Sequence, residues 1–389
     1  MFKHKWFHKL ACLLLAAALL AVALAGCSGK EESGGTFKVG FVCSASGQND
    51  NGYNKSAVDA IKAAHNELGF EYRIIEPAGS IGQAIETLAQ DGFDLIFNLE
   101  YDFDALVRGV GGDKPLAEQY PNTTFVIYND NPNVDENGNT KFKNVYAVMF
   151  NVNEASYLAG YLAVHVNENH EKLFPVGYKL APLSQHRGIG FIGGTDSAGI
   201  RVYSYGYMMG IQAAAEEYGV EYDYYARYDA GFSDTALGNQ MTQAMYNSGA
   251  NIVFADCGNV GDGITARAKE DGRLAIQTDA DLDHTHPGHV ITSVLKTTGV
   301  PTDAIIRAFA EGRLKDMDNL LNYDIKSGAT GITDMSVISG HVADKDLFDD
   351  IKSKVNIQAD KIKSGEIRVV NAQIGEPFDP GTCPRVRTR

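Results

Sequence analysis

GIGFIGGTD, residues 188–196, can be read in two ways, and the choice decides the fold. Its first six residues match G-x-G-x-x-G, the spacing of a dinucleotide-binding turn. That turn needs its glycines in the loop after a strand, where the backbone closes on a pyrophosphate. Here the intervening residues include Ile189, Phe191 and Ile192, so the match is the strand itself. The stretch therefore opens a strand–helix series and is not a cofactor site.

Outward from it, the same alternation runs in both directions. On the N-terminal side, apolar β-rich runs stand at KVGFVC (38–43), YRIIEP (72–77), DLIFNL (94–99), TFVIYND (124–130) and NVYAVMF (144–150). Helical stretches such as NKSAVDAIKAAHNELG (54–69) and IGQAIETLAQDG (81–92) separate them. On the C-terminal side the cycle continues through YMMGIQAAAEEYG (207–219), VEYDYYARYD (220–229), TALGNQMTQAMYNSG (235–249), NIVFADCG (251–258), DGITARAKEDG (262–272) and LAIQTDA (274–280). Such alternation predicts an α/β fold of parallel sheets with helices on both faces. Two successive series, in a chain of 389 residues, predict two doubly wound domains. Ligands of such sheets sit beyond the carboxyl ends of the strands.

The chain opens with Lys3, Lys5 and Lys9, followed by the apolar run LACLLLAAALLAVALAG and Cys27. This is the order of a secretory signal, residues 1–26. LAGC, residues 24–27, looks like the lipobox of bacterial lipoproteins, which makes Cys27 the lipidation site and 27–36 a tether. The expected location is the extracytoplasmic face of the cell membrane, held by lipid. The formal charge of −15 gives no basic footprint for nucleic acid. Cys12 belongs to the signal, and no C-x-x-C occurs, so neither a disulfide framework nor a zinc site is expected.

Chemistry is thinly represented. DADLDHTH, from Asp279 to His286, begins like a calcium loop. Its sixth position is His284 rather than Gly and its twelfth is Val290 rather than Glu, so the loop fails on both counts. No G-x-S-x-G, H-E-x-x-H or Walker sequence is present, and neither a cofactor nor an enzymatic activity is expected. What remains is a set of small, polar loops after strands: QNDNGYN, YND, GGTDSAGIRVYSYG, CGNVGDG and TDADLDH. Glycines let backbone approach a ligand, aspartates accept from hydroxyls, and aromatics suit flat rings or sugar faces. The loops describe a binder of a small, polar, partly planar solute.

In this order the stretches resemble the basic membrane protein family of lipoproteins, which includes purine-nucleoside-binding components of ABC importers. The carriers of the resemblance are D-x-x-Y-N at Asp50–Asn54, FNVNEASYLAGYLA (150–163), GFIGGTD (190–196), residues 231–263 and VITSVLK (290–296). The resemblance implies a type I periplasmic-binding-protein fold of two Rossmann-like lobes joined by a hinge. It assigns 37–150 with about 289–325 to the first lobe, and about 151–288 with 326–389 to the second. It also implies that Tyr53 and Tyr203 stack on the base, with Asp50 and Asn54 as polar partners. Asp279 and Lys296 would hold the ribose, and Gly258 would offer main-chain groups. Asn129 stands where the family commonly places a base-contacting aspartate. The implied partners are a nucleoside and the permease subunits of an ABC importer, with the protein a monomer. Two alternatives stay open: a receptor of this fold for a sugar or signalling metabolite, and a nucleoside hydrolase using the cluster from Asp279 to Asp283.

Overall fold

The computed structural model describes residues 37–389 apart from residue 101. The expected signal, Cys27 and the tether lie outside the described residues. The first series supplies strands β1 (Lys38–Val42), β2 (Glu71–Ile75), β3 (Leu95–Asn98), β4 (Thr124–Tyr128) and β5 (Val145–Phe150). The second supplies β6 (Gly188–Gly193), β7 (Tyr222–Arg227), β8 (Ala250–Asp256), β9 (Leu274–Asp279) and β10 (Val290–Lys296). The short strands β11 (Leu320–Tyr323), β12 (Thr330–Ile332) and β13 (Val386–Thr388) follow. The longer helices are α1 (Tyr53–Leu68), α2 (Ile81–Gln90), α3 (Val152–Glu168), α4 (Ala198–Tyr218), α5 (Thr235–Asn247), α6 (Val260–Asp271), α7 (Gly299–Ala310) and α8 (Lys345–Ser364).

The strands form two sheets. The first runs β2-β1-β3-β4-β5-β11 with every pairing parallel. The second runs β13-β7-β6-β8-β9-β10-β12, parallel except for β12, which lies antiparallel on β10. Strands β3, β5, β6 and β8 are buried along their whole length, as helix-covered parallel sheets require. GIGFIG is β6, a central strand, so its glycines serve sheet packing and not a phosphate.

One boundary differs from the expectation. Residues 290–296 belong to the second sheet and not the first lobe, because β10 continues the parallel ladder of β9, with Val294 opposite Thr278 and Leu295 opposite Asp279. Only after Lys296 does the chain return to the first lobe. There α7 docks on α1: Thr298 Oγ1 donates to the Tyr53 carbonyl at 2.6 Å, and Gly299 N–H donates to Ser56 Oγ at 3.0 Å. The chain passes between the lobes after β5, between β10 and α7, and between β11 and β12.

Helix α4 begins at Ala198, well inside the stretch read as a loop. It lies against α3 at backbone contact. A Cβ on Gly160 would stand 2.2 Å from the Tyr207 carbonyl oxygen, and one on Gly210 would stand 2.0 Å from that of Tyr157. Glycine is required at both positions, and the contact fixes the helix that carries Tyr203.

Candidate ligand-binding cleft

A cleft of about 380 Å³ lies among the carboxyl ends of the strands, bordered by loops of both lobes. The first lobe contributes residues 44–46 and 50–53 after β1, and Glu100 after β3. The second contributes residues around the start of α4, Phe232, Gly258, and the strand ends Asp256, Asp279 and Lys296.

The D-x-x-Y-N stretch is a buckle that aims one ring. The Asp50 carboxylate accepts from the N–H groups of Gly52, Asn54 and Lys55 at 2.9–3.1 Å, satisfying the otherwise free donors that open α1. Asn54 donates to Asp50 Oδ2 and to Ser44 Oγ, each at 2.8 Å, and its Oδ1 accepts from Ser44 N–H at 2.8 Å. Asn54 is fully buried and does not border the cleft. Asp50 does border it, but four N–H groups already occupy its oxygens. Neither is placed as the expected polar partner of a base; both hold Tyr53.

Asn129 is also displaced from its expected role. Its backbone is left-handed at φ 68°, its side chain is 2% exposed, and it is absent from the cleft wall. Its Nδ2 donates to the Tyr53 hydroxyl, which in turn donates to the Leu99 carbonyl at 2.9 Å. The phenol oxygen that tyrosine adds is thereby absorbed by the first lobe, and the Asn129 amide nitrogen holds the ring.

Six of the sequence-derived residues do meet at the cleft: Asp50, Tyr53, Tyr203, Gly258, Asp279 and Lys296. The Lys296 ammonium lies 5.1 Å from the Tyr53 ring centroid, 5.8 Å from that of Tyr203 and 5.6 Å from that of Phe150. Rings from both lobes thus border one point, and their faces stabilise the charge. Tyr203 is 1% exposed and meets Phe254 edge to face at 6.3 Å. Gly258, at φ 55°, brings backbone so close to the first lobe that a Cβ would stand 3.5 Å from Ser46 Oγ.

Asp256, Asp279 and Lys296 end the neighbouring strands β8, β9 and β10. Burial pushes the Asp279 carboxyl up to about 6, with Lys296 drawing it down and Asp50 pushing it up. Burial lowers the Lys296 ammonium below its ordinary value, while Asp279 and Asp256 act to raise it. Asp256 lies well above the usual carboxylate range through burial first and Asp279 second. Asp256, Phe232 and Ile200 border the cleft without having been singled out from sequence. The signal for Asp256 was its place as the last residue of the apolar run NIVFAD.

The hydrolase cluster does not assemble. Asp283 is turned into the second lobe, where its two oxygens accept from Ser293 Oγ and Thr333 Oγ1, each at 2.6 Å. Asp279 faces the cleft instead. No group of three or more His, Cys, Asp or Glu among the described residues is placed to hold a metal, and no helix there is long and apolar enough to cross a membrane.

Residues 37–373 match the family described as Bmp, ABC transporter substrate-binding protein PnrA-like. The chain is 26% identical over 347 residues to the ABC transporter nucleoside-binding protein BmpA of Lactococcus lactis subsp. cremoris, covering 82% of this chain and 89% of that one. It is 26% identical over 355 residues to basic membrane protein A of Borreliella burgdorferi, covering 88% and 93%. Among solved structures, an ABC transporter solute-binding protein from Aeropyrum pernix K1 superposes with a TM-score of 0.72 at 21% identity, over 90% of this chain and 95% of that one. That likeness confirms the two-lobed binding-protein fold. With the family match spanning most of its length, the chain belongs to the Bmp family of PnrA-like ABC transporter substrate-binding proteins.

Proposed function

We propose that the protein captures a nucleoside, a purine nucleoside in the first instance, and delivers it as a monomer to the permease of an ABC importer. Cys27 would carry the lipid that holds it at the extracytoplasmic face of the membrane. The observation that supports this most is the meeting of two tyrosine rings and the Asp279–Lys296 couple in one cleft. Tyr53 and Tyr203 offer faces to a planar base. Asp279 accepts from ribose hydroxyls, Lys296 donates to one, and Gly258 brings backbone groups to the same ligand. The nucleoside-binding name of the Lactococcus lactis relative agrees with this.

Calorimetric titration of adenosine, 2′-deoxyadenosine and adenine against wild type, Tyr53→Ala and Asp279→Ala tests the reading. Closing on a free base leaves the buried couple without its ligand partners, at a cost of about 1–3 kcal/mol for each group. Wild type should prefer adenosine over adenine by about a hundredfold or more, with the deoxynucleoside between them. Asp279→Ala should erase most of that preference. Tyr53→Ala should weaken adenosine by about one to two powers of ten, the worth of a stacked base. Equal affinities for all three ligands in wild type would remove the ribose clamp and with it the nucleoside.

A further inference from the structure

Asp256 is a polar group of the cleft to which the nucleoside reading gives no task. It borders the cleft at the end of β8 and is 5% exposed. Its Oδ2 is sealed from solvent and has no hydrogen-bond partner among the described residues. Two other buried aspartates show what a structural acid looks like in this fold. Asp50 is satisfied by the N–H groups that open α1, and Asp283 by the hydroxyls of Ser293 and Thr333. Asp256 has no such partners, and Asp279 stands nearby as a like charge that Lys296 only partly offsets. An unpartnered buried carboxyl destabilises the protein that carries it. Its place at the cleft wall explains that cost if something entering the cleft satisfies it.

We propose that Asp256 is a specificity-determining residue that contacts the cargo, its carboxyl accepting a hydroxyl or N–H beside the groups bound by Asp279 and Lys296. The choice of probe rests on the nucleoside reading; the role of the carboxyl does not. The carboxyl groups of Asp50, Glu100, Asp256 and Asp279 border the cleft, and Lys296 is the cation among its lining residues. A cleft of that balance takes a neutral or cationic, donor-rich cargo and disfavours a phosphorylated one.

The test uses the full chain as Asp256→Ala and Asp256→Asn, with adenosine and guanosine as probes. Ligand-free Asp256→Ala should melt about 1–4 °C above wild type, because it removes a buried carboxyl oxygen that no hydrogen bond satisfies. It should bind the better of the two nucleosides about ten- to a hundredfold more weakly. Asp256→Asn, whose amide oxygen still accepts, should lose less affinity. A structural residue would lose stability and affinity together, so the opposed signs are diagnostic. If Asp256→Ala melts at or below wild type, or binds the nucleoside as tightly, the proposal is overturned. The two readings fail separately. Wild type that binds neither nucleoside, beside an Asp256→Ala that still melts higher, would remove the nucleoside and leave Asp256 as the contact for another donor-bearing cargo.

Discussion

Asp279 combines a left-handed backbone, φ 72°, with a carboxyl that burial lifts to about 6. Two opposite pH trends follow. The folded protein holds this proton more tightly than the unfolded chain does, so the contribution of Asp279 to stability is present below about pH 4 and is lost as pH rises to about 6. The ionised carboxylate accepts at both oxygens and more strongly than the protonated acid, so cargo binding moves the other way. Adenosine affinity at pH 5 should be about tenfold lower than at pH 7, and Asp279→Asn should flatten the profile while binding weakly throughout. Calorimetry across that range checks it, and a flat wild-type profile would show that the Asp279 charge does not reach the ligand. Lys296, Asp50 and Asp256 face the same carboxyl, so the comparison with Asp279→Asn is what isolates it. Residues at this scale were unevenly legible. Asp279 and Lys296 could be placed at the cleft because strand-end position and motif coincide, and Tyr53 because its motif opens α1. Asn129 could not be placed, because its partner is the hydroxyl of a residue 76 positions away, a contact that no local pattern encodes.

The α3–α4 contact sets the position of one wall of the cleft. Replacing glycine by alanine inside an exposed helix ordinarily gains about 1 kcal/mol. At Gly210 the sign should reverse, because the new methyl would stand 2.0 Å from the Tyr157 carbonyl oxygen, which is backbone and cannot swing aside. Gly210→Ala should cost about 2 kcal/mol in chemical denaturation, the order of an overpacked core, and should weaken nucleoside binding as the α4 start shifts with Tyr203. A midpoint equal to or above that of wild type would refute the close packing. Elements were legible where length allowed a period to show. The strands from β1 to β9 and most of the helices between them stand in the sequence as apolar runs and helical repeats. Strands β11, β12 and β13 are three or four residues long and sit at or near sheet edges, so neither period nor composition marks them. Helix α8 is different: its buried Phe348, Ile351, Val355, Ala359 and Ile362 form a plain helical stripe that the sequence reading leaves unused.

At the scale of the molecule, the loop after β1 touches the second lobe at two points. Asn51 Nδ2 donates to Asp262 Oδ1 at 2.8 Å, and the Gly52 backbone abuts Ala280 so closely that a Cβ would stand 2.4 Å from the Ala280 methyl. The arrangement is a closed one. Asn51→Ala removes a direct link between lobes and leaves Tyr53, Tyr203, Asp279 and Lys296 unchanged. Cargo dissociation measured by stopped-flow should quicken about three- to tenfold, the worth of one hydrogen bond, while association changes little. An unchanged dissociation rate would mean that this link does not hold the closed form. Two-lobed architecture was readable from the repetition of the strand–helix series, but the route of the chain between lobes was not, and β10 shows why: an apolar run does not announce which sheet will take it. Strand β11 has a further consequence, for the order in which the protein can be made. It completes the first sheet by lying parallel on β5, with Leu320 beside Ala147. Ribosomes deliver Ala147 long before Leu320, and every core strand of the second lobe emerges in the interval. The first sheet therefore waits, unfinished, while the core of the second lobe is made, and until the chain returns, β5 is an open edge that offers its unpaired backbone to any other strand within reach.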